Sequence, residues 1–440
     1  MLKRISTIAL ITGAGQVFVI FALKYISQNS SPEQVKTIGQ IDSLVLFIMN
    51  VIALGLQPSA MRNLALTDDW KKEYTSTQSA RLVLSFFLAA FAVLAFIDQY
   101  YLVFLIAPLL ALSGDYALYG RGLPVKGAII AFVRSVVPFL LVLILIWKEP
   151  LSLPWLYFIG LLFAYIITNL FISLSLKTPN FPQLRFTDLK MYINTLPLGM
   201  VSLGLYFIGM GVILVAQYFY TPPVLATAFI GLKFYIIFKG VLRIIQQAFL
   251  KEMVKDQVCL KVDQLSSLLG LCFFIFMLCF PNTFINFFFG AKYLADKNYF
   301  IVIAAAALVY SLFSSFTTRA MLDRKDHFYA ITTISAALLT LLVCVILSFL
   351  MNDSLSIGIS ILAGELLFAA GMIRLMKRNR LLTERVLFVL KNIPFLFIPL
   401  AGVFFVGDKK IVFLISLSVF VVSVFLVHKN KFNFPEPGPG

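Results

Sequence analysis

Three cations share one apolar run, residues 225–249 (LATAFIGLKFYIIFKGVLRIIQQAF): Lys233, Lys239 and Arg243, with no acid among them. At 100° per residue on a helix they fall within an arc of about 120°, and Gln246 and Gln247 lie on the same side. At 1.5 Å per residue the ladder is about 15 Å long. A charge at mid-bilayer costs at least ~2.5–3.5 kcal/mol, so an all-cationic stripe calls for a wet cavity or an anionic partner. The chemistry offered is electrostatic capture of an anionic cargo. In a plainer reading Arg243 and Lys233 snorkel to opposite surfaces, although Lys239 is too central to follow them easily.

Other charges sit inside apolar runs. Lys24 and Asp42 lie at similar depth near the ends of the first two runs, where they could pair across a hairpin. Asp115 and Arg134 have comparable depth in the fourth and fifth, and are expected to form a structural pair, because an unpaired ion in lipid is so costly. Glu365 is mid-way along 355–375 with no obvious neighbour in sequence. It is a candidate to neutralise Lys233 or Lys239, or to bind a coupling cation, Na⁺ or H⁺.

The elements that must carry these residues follow from composition. Of 440 residues, 60% are hydrophobic and 13% charged, against about 45–50% and 25% in a soluble domain. Apolar runs of about 20 residues suit membrane-spanning helices, not shorter, alternating barrel strands. The fold class is therefore all-α, a polytopic membrane protein. Fourteen spans are expected, at 6–27, 37–60, 81–97, 101–120, 127–147, 155–176, 194–218, 225–249, 265–288, 299–320, 328–350, 355–375, 393–407 and 411–428. The four cysteines show no metal-ligand spacing and the two histidines form no cluster. No cofactor, metal or nucleic acid is called for, since topology explains most of the net charge of +16.

Lysine and arginine placement sets the orientation. With the N-terminus inside, 25 basic residues fall on the cytoplasmic side and 7 on the outer side, leaving Arg134, Lys233, Lys239 and Arg243 within spans. Both termini are then cytoplasmic. The loop at 177–190 divides two groups of six spans, and 376–392 precedes a last hairpin. The expected organisation is an N-terminal lobe over 1–190, a C-terminal lobe over 191–376, and a two-span hairpin with a Pro/Gly-rich tail over 377–440.

Two stretches carry a resemblance. FALKYISQ…KTIGQIDSLVLFIMNVIALGLQPSAMRNLAL has a basic residue ending the first span, a glycine opening the second and a GL-x-x-A-x-x-R-like exit. Gly39, Gly55, Leu56 and Arg62 match, with Lys24 in place of the more usual arginine. FFFGAKYLADKNYFIVIAAAALVYSLFSSFTTRAMLDRKD resembles an F-G-x-x-Y loop and a span ending in a short basic turn, with Gly290, Tyr293, Arg324 and Lys325 matching. Both resemble the polysaccharide and O-antigen flippase branch of the multidrug/oligosaccharidyl-lipid/polysaccharide (MOP) exporter superfamily. The resemblance implies two pseudo-symmetric six-helix lobes working by alternating access, with the last hairpin forming a groove for a lipid tail. It implies an undecaprenyl-diphosphate-linked oligosaccharide as cargo, carried to the outer leaflet of a bacterial inner membrane. Membrane lipids would surround the chain, and polymerase or glycosyltransferase partners would act beside it. On this basis Lys24 and Arg62 join Lys233, Lys239 and Arg243 as substrate-binding cations, while Asp42 and Glu365 serve coupling or charge balance.

Other classes fit less well. A flippase for the peptidoglycan precursor shares the fourteen-span plan, but its relatives carry more cationic motifs in the first two spans. A drug/cation antiporter needs intramembrane acids, and the first and seventh spans contain none. An enzyme would need catalytic residues on sizeable loops, whereas the outer loops are about ten residues or fewer and no DxD or acid pair stands out. The topology makes a direct prediction. Cysteines at Ser31 and Asp408 should label from outside, and those at Trp70 and Arg380 only after permeabilisation; outside labelling at 380 would overturn the second half of the topology.

Overall fold

In a bilayer every backbone N–H and C=O must find its partner within the protein, so apolar 20-residue runs become helices. The computed structural model describes residues 2–66, 69–145, 153–179, 182–248, 253, 255–376, 379–392 and seven positions between 399 and 419. All its described regular elements are helical, and the chain is a multi-pass membrane protein. Eleven helices among the described residues are long and apolar enough to cross a membrane. They coincide with expected spans one to six and eight to twelve. The thirteenth and fourteenth spans lie almost wholly outside the described residues; of the segment assigned to 377–440, residues 379–392 are described together with seven scattered positions.

Packing gathers the chain into two compact units, Met1–Ile230 with Ser348–Asn352, and Gly231–Leu347 with Asp353–Gly440. The first contains α1 (Leu2–Asn29), α2 (Pro32–Ala53), α3 (Leu56–Leu66) and α4 (Trp70–Ala89), the last continued as a 3₁₀ turn over Ala90–Phe96. A second 3₁₀ segment, Gln99–Ile106, leads into α5 (Ala107–Ala111), α6 (Asp115–Gly120), α7 (Pro124–Leu145) and α8 (Leu153–Leu176). Then come α9 (Met191–Phe207), α10 (Val212–Ala216) and the start of α11 (Pro222–Ala248). The second unit takes the rest of α11, then α12 (Asp256–Cys279), α13 (Pro281–Phe288), α14 (Lys297–Leu312) and α15 (Ser314–Leu322). It ends with most of α16 (Asp326–Leu350), α17 (Ser354–Met376) and α18 (Asn379–Asn392).

Local sequence explains where helices start and stop. Ser31 caps α2: its Oγ accepts from the Gln34 amide and the Gln34 side chain accepts from the Ser31 amide, both at 3.2 Å, with Pro32 in the first turn. Beyond α2 the chain turns through Leu54 (φ 27°) and Gly55 (φ +80°). A side chain at Gly55 would strike the α9 backbone, 2.7 Å from the Gly199 nitrogen. Here α9 closes the end of α2, as Tyr192 donates to the Ile52 carbonyl (2.6 Å) and Thr195 to that of Leu54 (3.1 Å).

Two expected spans are broken within the membrane sequence. The seventh, read as 194–218, is α9, a turn through 208–211 containing Gly209 and Gly211, and α10. The carbonyl of Met210 in that turn accepts from the Ser43 hydroxyl of α2 at 2.8 Å. The fourth breaks at 112–114, between α5 and α6. Its carbonyls at Leu112 and Ser113 accept from Gln78 (3.0 Å) and Arg81 (2.5 Å) of α4. Interruptions of this kind are tolerated where neighbouring polar side chains satisfy the freed carbonyls.

In the second unit α14 packs against α12 and α17, and α18 lies on α12. Phe234 is ringed by Phe273, Phe284, Phe288 and Phe289 at 5.1–5.8 Å between centroids. The abundant phenylalanine is expected mainly as lipid-facing bulk, yet here it also builds an interior. Along α17, Gly364 and Gly371 face Thr340 and Thr332 of α16, so close that a methyl group at either glycine would collide with the threonine. Gly364→Leu should overpack this contact and cost about 1–3 kcal/mol. Thermal unfolding in detergent measures the loss, and adding Thr340→Ala should recover part of it; an unchanged midpoint in Gly364→Leu would contradict the close packing.

Candidate functional site

Tyr235 and Lys239 are four residues apart on α11 and therefore share a face. Both reach Glu365, mid-way along α17. Lys239 Nζ lies 2.5 Å from Glu365 Oε1, and the Tyr235 hydroxyl donates to the same oxygen. The ammonium also sits 4.4 Å from the ring centres of Tyr235 and Tyr310, where the negative ring faces attract it. The Glu365 side chain is 1% exposed and that of Lys239 15%. Glu365 Oε2 is buried with no hydrogen-bond partner among the described residues.

The stripe read from sequence is thus divided. Lys239 is matched by Glu365 rather than standing as an uncompensated cation. Lys233 is half-buried, and Arg243 is exposed one turn beyond Lys239. Gln246 is buried and accepts from Thr318 at 3.2 Å, while the Gln247 side chain lies outside the described residues. The arrangement is a largely buried cation matched by a carboxylate, with an exposed guanidinium one turn away.

In the first unit Asp42 is buried and accepts from the Tyr157 hydroxyl of α8 at 2.6 Å. Lys24 is half-buried near the end of α1. Arg62 falls on α3, and its side chain lies outside the described residues. Asp115 and Arg134 come together at 3.6 Å; Arg134 also donates to Thr168 (3.0 Å) and stacks 4.6 Å from the Tyr165 ring centre.

Two buried arginines escape the sequence reading. Arg81 and Arg385 count there as cytoplasmic surface charges, yet they are 2% and 3% exposed. The helix carrying Arg81 starts at Trp70, not at 81, which places Arg81 three turns inside and against the break at 112–114. Arg385 belongs to α18, in a stretch read only as a separator. Its guanidinium binds Asp263 Oδ2 at 2.6 and 2.7 Å. Asp263 also accepts from the Ser315 amide (2.7 Å) and hydroxyl (2.5 Å), and the Asp263 side chain is fully buried. The available signal was Asp263 itself, an acid just ahead of the apolar run SSLLGLCFFIF.

Removing one partner of a buried pair leaves the other charge uncompensated, at a typical cost of about 3–5 kcal/mol. Glu365→Gln should therefore lower the detergent unfolding midpoint, and Lys239→Gln should do the same. The double variant should lose much less than the sum, because neither charge then remains buried alone. Strict additivity of the two losses would contradict the pairing.

No protein-family model matches this sequence, and no curated protein matches it. Solved structures do. The fold is similar to that of the lipid II flippase MurJ in an inward closed conformation, with a TM-score of 0.71 at 12% identity over 97% of this chain and 99% of that one. It is similar to the eukaryotic MATE transporter AtDTX14 (TM-score 0.58, 13% identity, 87% of this chain and 98% of that one). A MOP superfamily transporter from Pyrococcus furiosus, described as having a binding pocket of reversed polarity, aligns with a TM-score of 0.52 at 14% identity over 86% of this chain and 95% of that one. At these identities the likeness is one of fold. The structural neighbours of this chain are MurJ and MATE transporters of the MOP superfamily.

Proposed function

We propose that this chain is a flippase moving a polyprenyl-diphosphate-linked oligosaccharide from the cytoplasmic to the outer leaflet by alternating access. The observation that carries the reading is end-to-end likeness to a lipid flippase: the match takes in 97% of this chain, about a tenth more than the MATE alignments do. The cargo is a surface-polysaccharide repeat of the O-antigen or capsule kind. Lipid II is the second reading, favoured by the name of that same neighbour.

Lys239 supplies the electrostatics. While empty, it is neutralised by Glu365, so the buried cation costs little. An arriving diphosphate competes with Glu365 for the ammonium, exchanging one anion for another, and the exposed Arg243 extends the cationic surface. A freed Glu365 then takes up H⁺ or Na⁺, with Oε2 the oxygen without a hydrogen-bond partner among the described residues. Outward movement of about two negative charges gains ~2.3 kcal/mol per charge per 100 mV of inside-negative potential.

The test is binding of polyprenyl diphosphate to purified protein, normalised to folded material. A charge-assisted bond to phosphate is worth roughly 1.5–3 kcal/mol, so Lys239→Gln should lose about 10- to 150-fold in affinity. Lys239→Arg should retain much of the binding. Wild-type affinity in folded Lys239→Gln would sink the mechanism. Complementation separates the cargoes: rescue of a strain lacking an O-antigen flippase supports the first reading, and rescue of one depleted of its lipid II flippase supports the second.

A further inference from the structure

A second basic site lies in the first unit, on residues that the translocation reading leaves unused. A cavity of about 440 Å³ is lined by Lys71, Lys72 and Ser76 at the start of α4 and by Gln183, Arg185 and Asp188 from the segment before α9. Residues 71, 72 and 76 share one face of the helix. The facing segment is tied to α4 through Ser79, whose hydroxyl accepts from the Arg185 amide at 2.9 Å. Lys71, Lys72 and Arg185 have no ion-pair partner among the described residues, so three cations meet one carboxylate. The buried oxygen Oδ2 of Asp188 has no hydrogen-bond partner among the described residues.

The surroundings have the composition of a membrane surface. Arg185 is flanked by Leu184 and Phe186, 48% and 69% exposed. Two such apolar groups gain by entering the acyl region, which holds the arginine between them at headgroup depth. Trp70 precedes Lys71 at the start of α4, with Lys71 6.0 Å and Arg121 5.0 Å from its ring. An indole among cations is the usual composition of the bilayer interface.

We propose that this cavity binds the phosphate of a membrane lipid whose headgroup also bears hydroxyls. The three cations take the phosphate, and Asp188 accepts from a headgroup hydroxyl, which gives the lone carboxylate a role in an otherwise basic site. Phosphatidylglycerol has this chemistry; phosphatidylcholine lacks both the net charge and the hydroxyls. A basic pocket of this kind holds its lipid independently of any cargo elsewhere in the chain.

Native mass spectrometry of the full chain in detergent, titrated with each lipid, tests the site. Phosphatidylglycerol should bind in preference to phosphatidylcholine. Each of Lys71→Gln, Lys72→Gln and Arg185→Gln should weaken it about five-fold, the effect of one cation near a lipid surface. Asp188→Asn should narrow the preference for phosphatidylglycerol over phosphatidic acid, which has phosphate but no headgroup hydroxyl. These positions are at or near the surface, and unchanged unfolding midpoints confirm that the variants fold. Inorganic pyrophosphate, titrated by calorimetry, separates the sources. Phe186→Ser should weaken the lipid and leave pyrophosphate unaffected if the ligand comes from the bilayer; equal affinity for both probes, insensitive to Phe186→Ser, overturns the lipid source in favour of a soluble phosphate. Equal binding of the two phospholipids by wild type, or full phosphatidylglycerol binding by the neutral variants, overturns the site itself.

Discussion

A polar group placed in hydrocarbon has no water to fall back on, and each one left unsatisfied costs several kcal/mol. This single penalty arranges much of the molecule. Lys239 and Glu365 come from different helices and meet inside the second unit. Arg385 and Asp263 do the same, with Ser315 completing the carboxylate's shell. Arg81 instead finds the carbonyl of Ser113 and the side chain of Gln78. A cation can thus be satisfied by an ion pair or by backbone released where a helix breaks, and both solutions occur here.

The breaks and the polar side chains depend on one another. A continuous helix would have no free carbonyl at Ser113 to receive Arg81, and Ser43 would have none at Met210. Conversely, either interruption would strand carbonyls in an apolar setting without α4 or α2 beside it. Each break is held in place by the polar partner that satisfies it. Glu365 is placed similarly. One oxygen carries both the Lys239 and Tyr235 bonds, while the other carries none among the described residues. In the proposed mechanism a carboxylate so loaded on one side releases its lysine to another anion as a proton or cation replaces it.

The two basic sites differ in the way they hold charge. Lys239 is largely buried and compensated, so in the proposed mechanism a ligand would displace Glu365, which would confer selectivity for an anion strong enough to compete. The cations at Lys71, Lys72 and Arg185 sit beside exposed Leu184 and Phe186 and need displace only water and counterions. Under the two proposals the first arrangement would suit a transient encounter and the second a standing association with lipid.

Sequence alone determined the class and most of the spans, because a 20-residue apolar run has one stable outcome in a bilayer. It also marked the residues that needed partners. Asp115 and Arg134, alike in depth, meet as ion-pair geometry requires, and Glu365 stood out as an acid in mid-span. Which partner each charge takes was decided by tertiary structure. Glu365 is 126 residues from Lys239 and 132 from Lys233, and only the packing of α17 on its neighbours brings it to the first. Arg81 and Arg385 read as surface charges because hydropathy sees composition along the chain and not what crosses from the side. The broken fourth and seventh spans were marked in sequence only by residues that permit a bend, Ser113 and Gly114 in one and Gly209 with Gly211 in the other. Such residues permit a break without requiring one, and the break is stable because Gln78, Arg81 and Ser43 arrive from other helices to satisfy it.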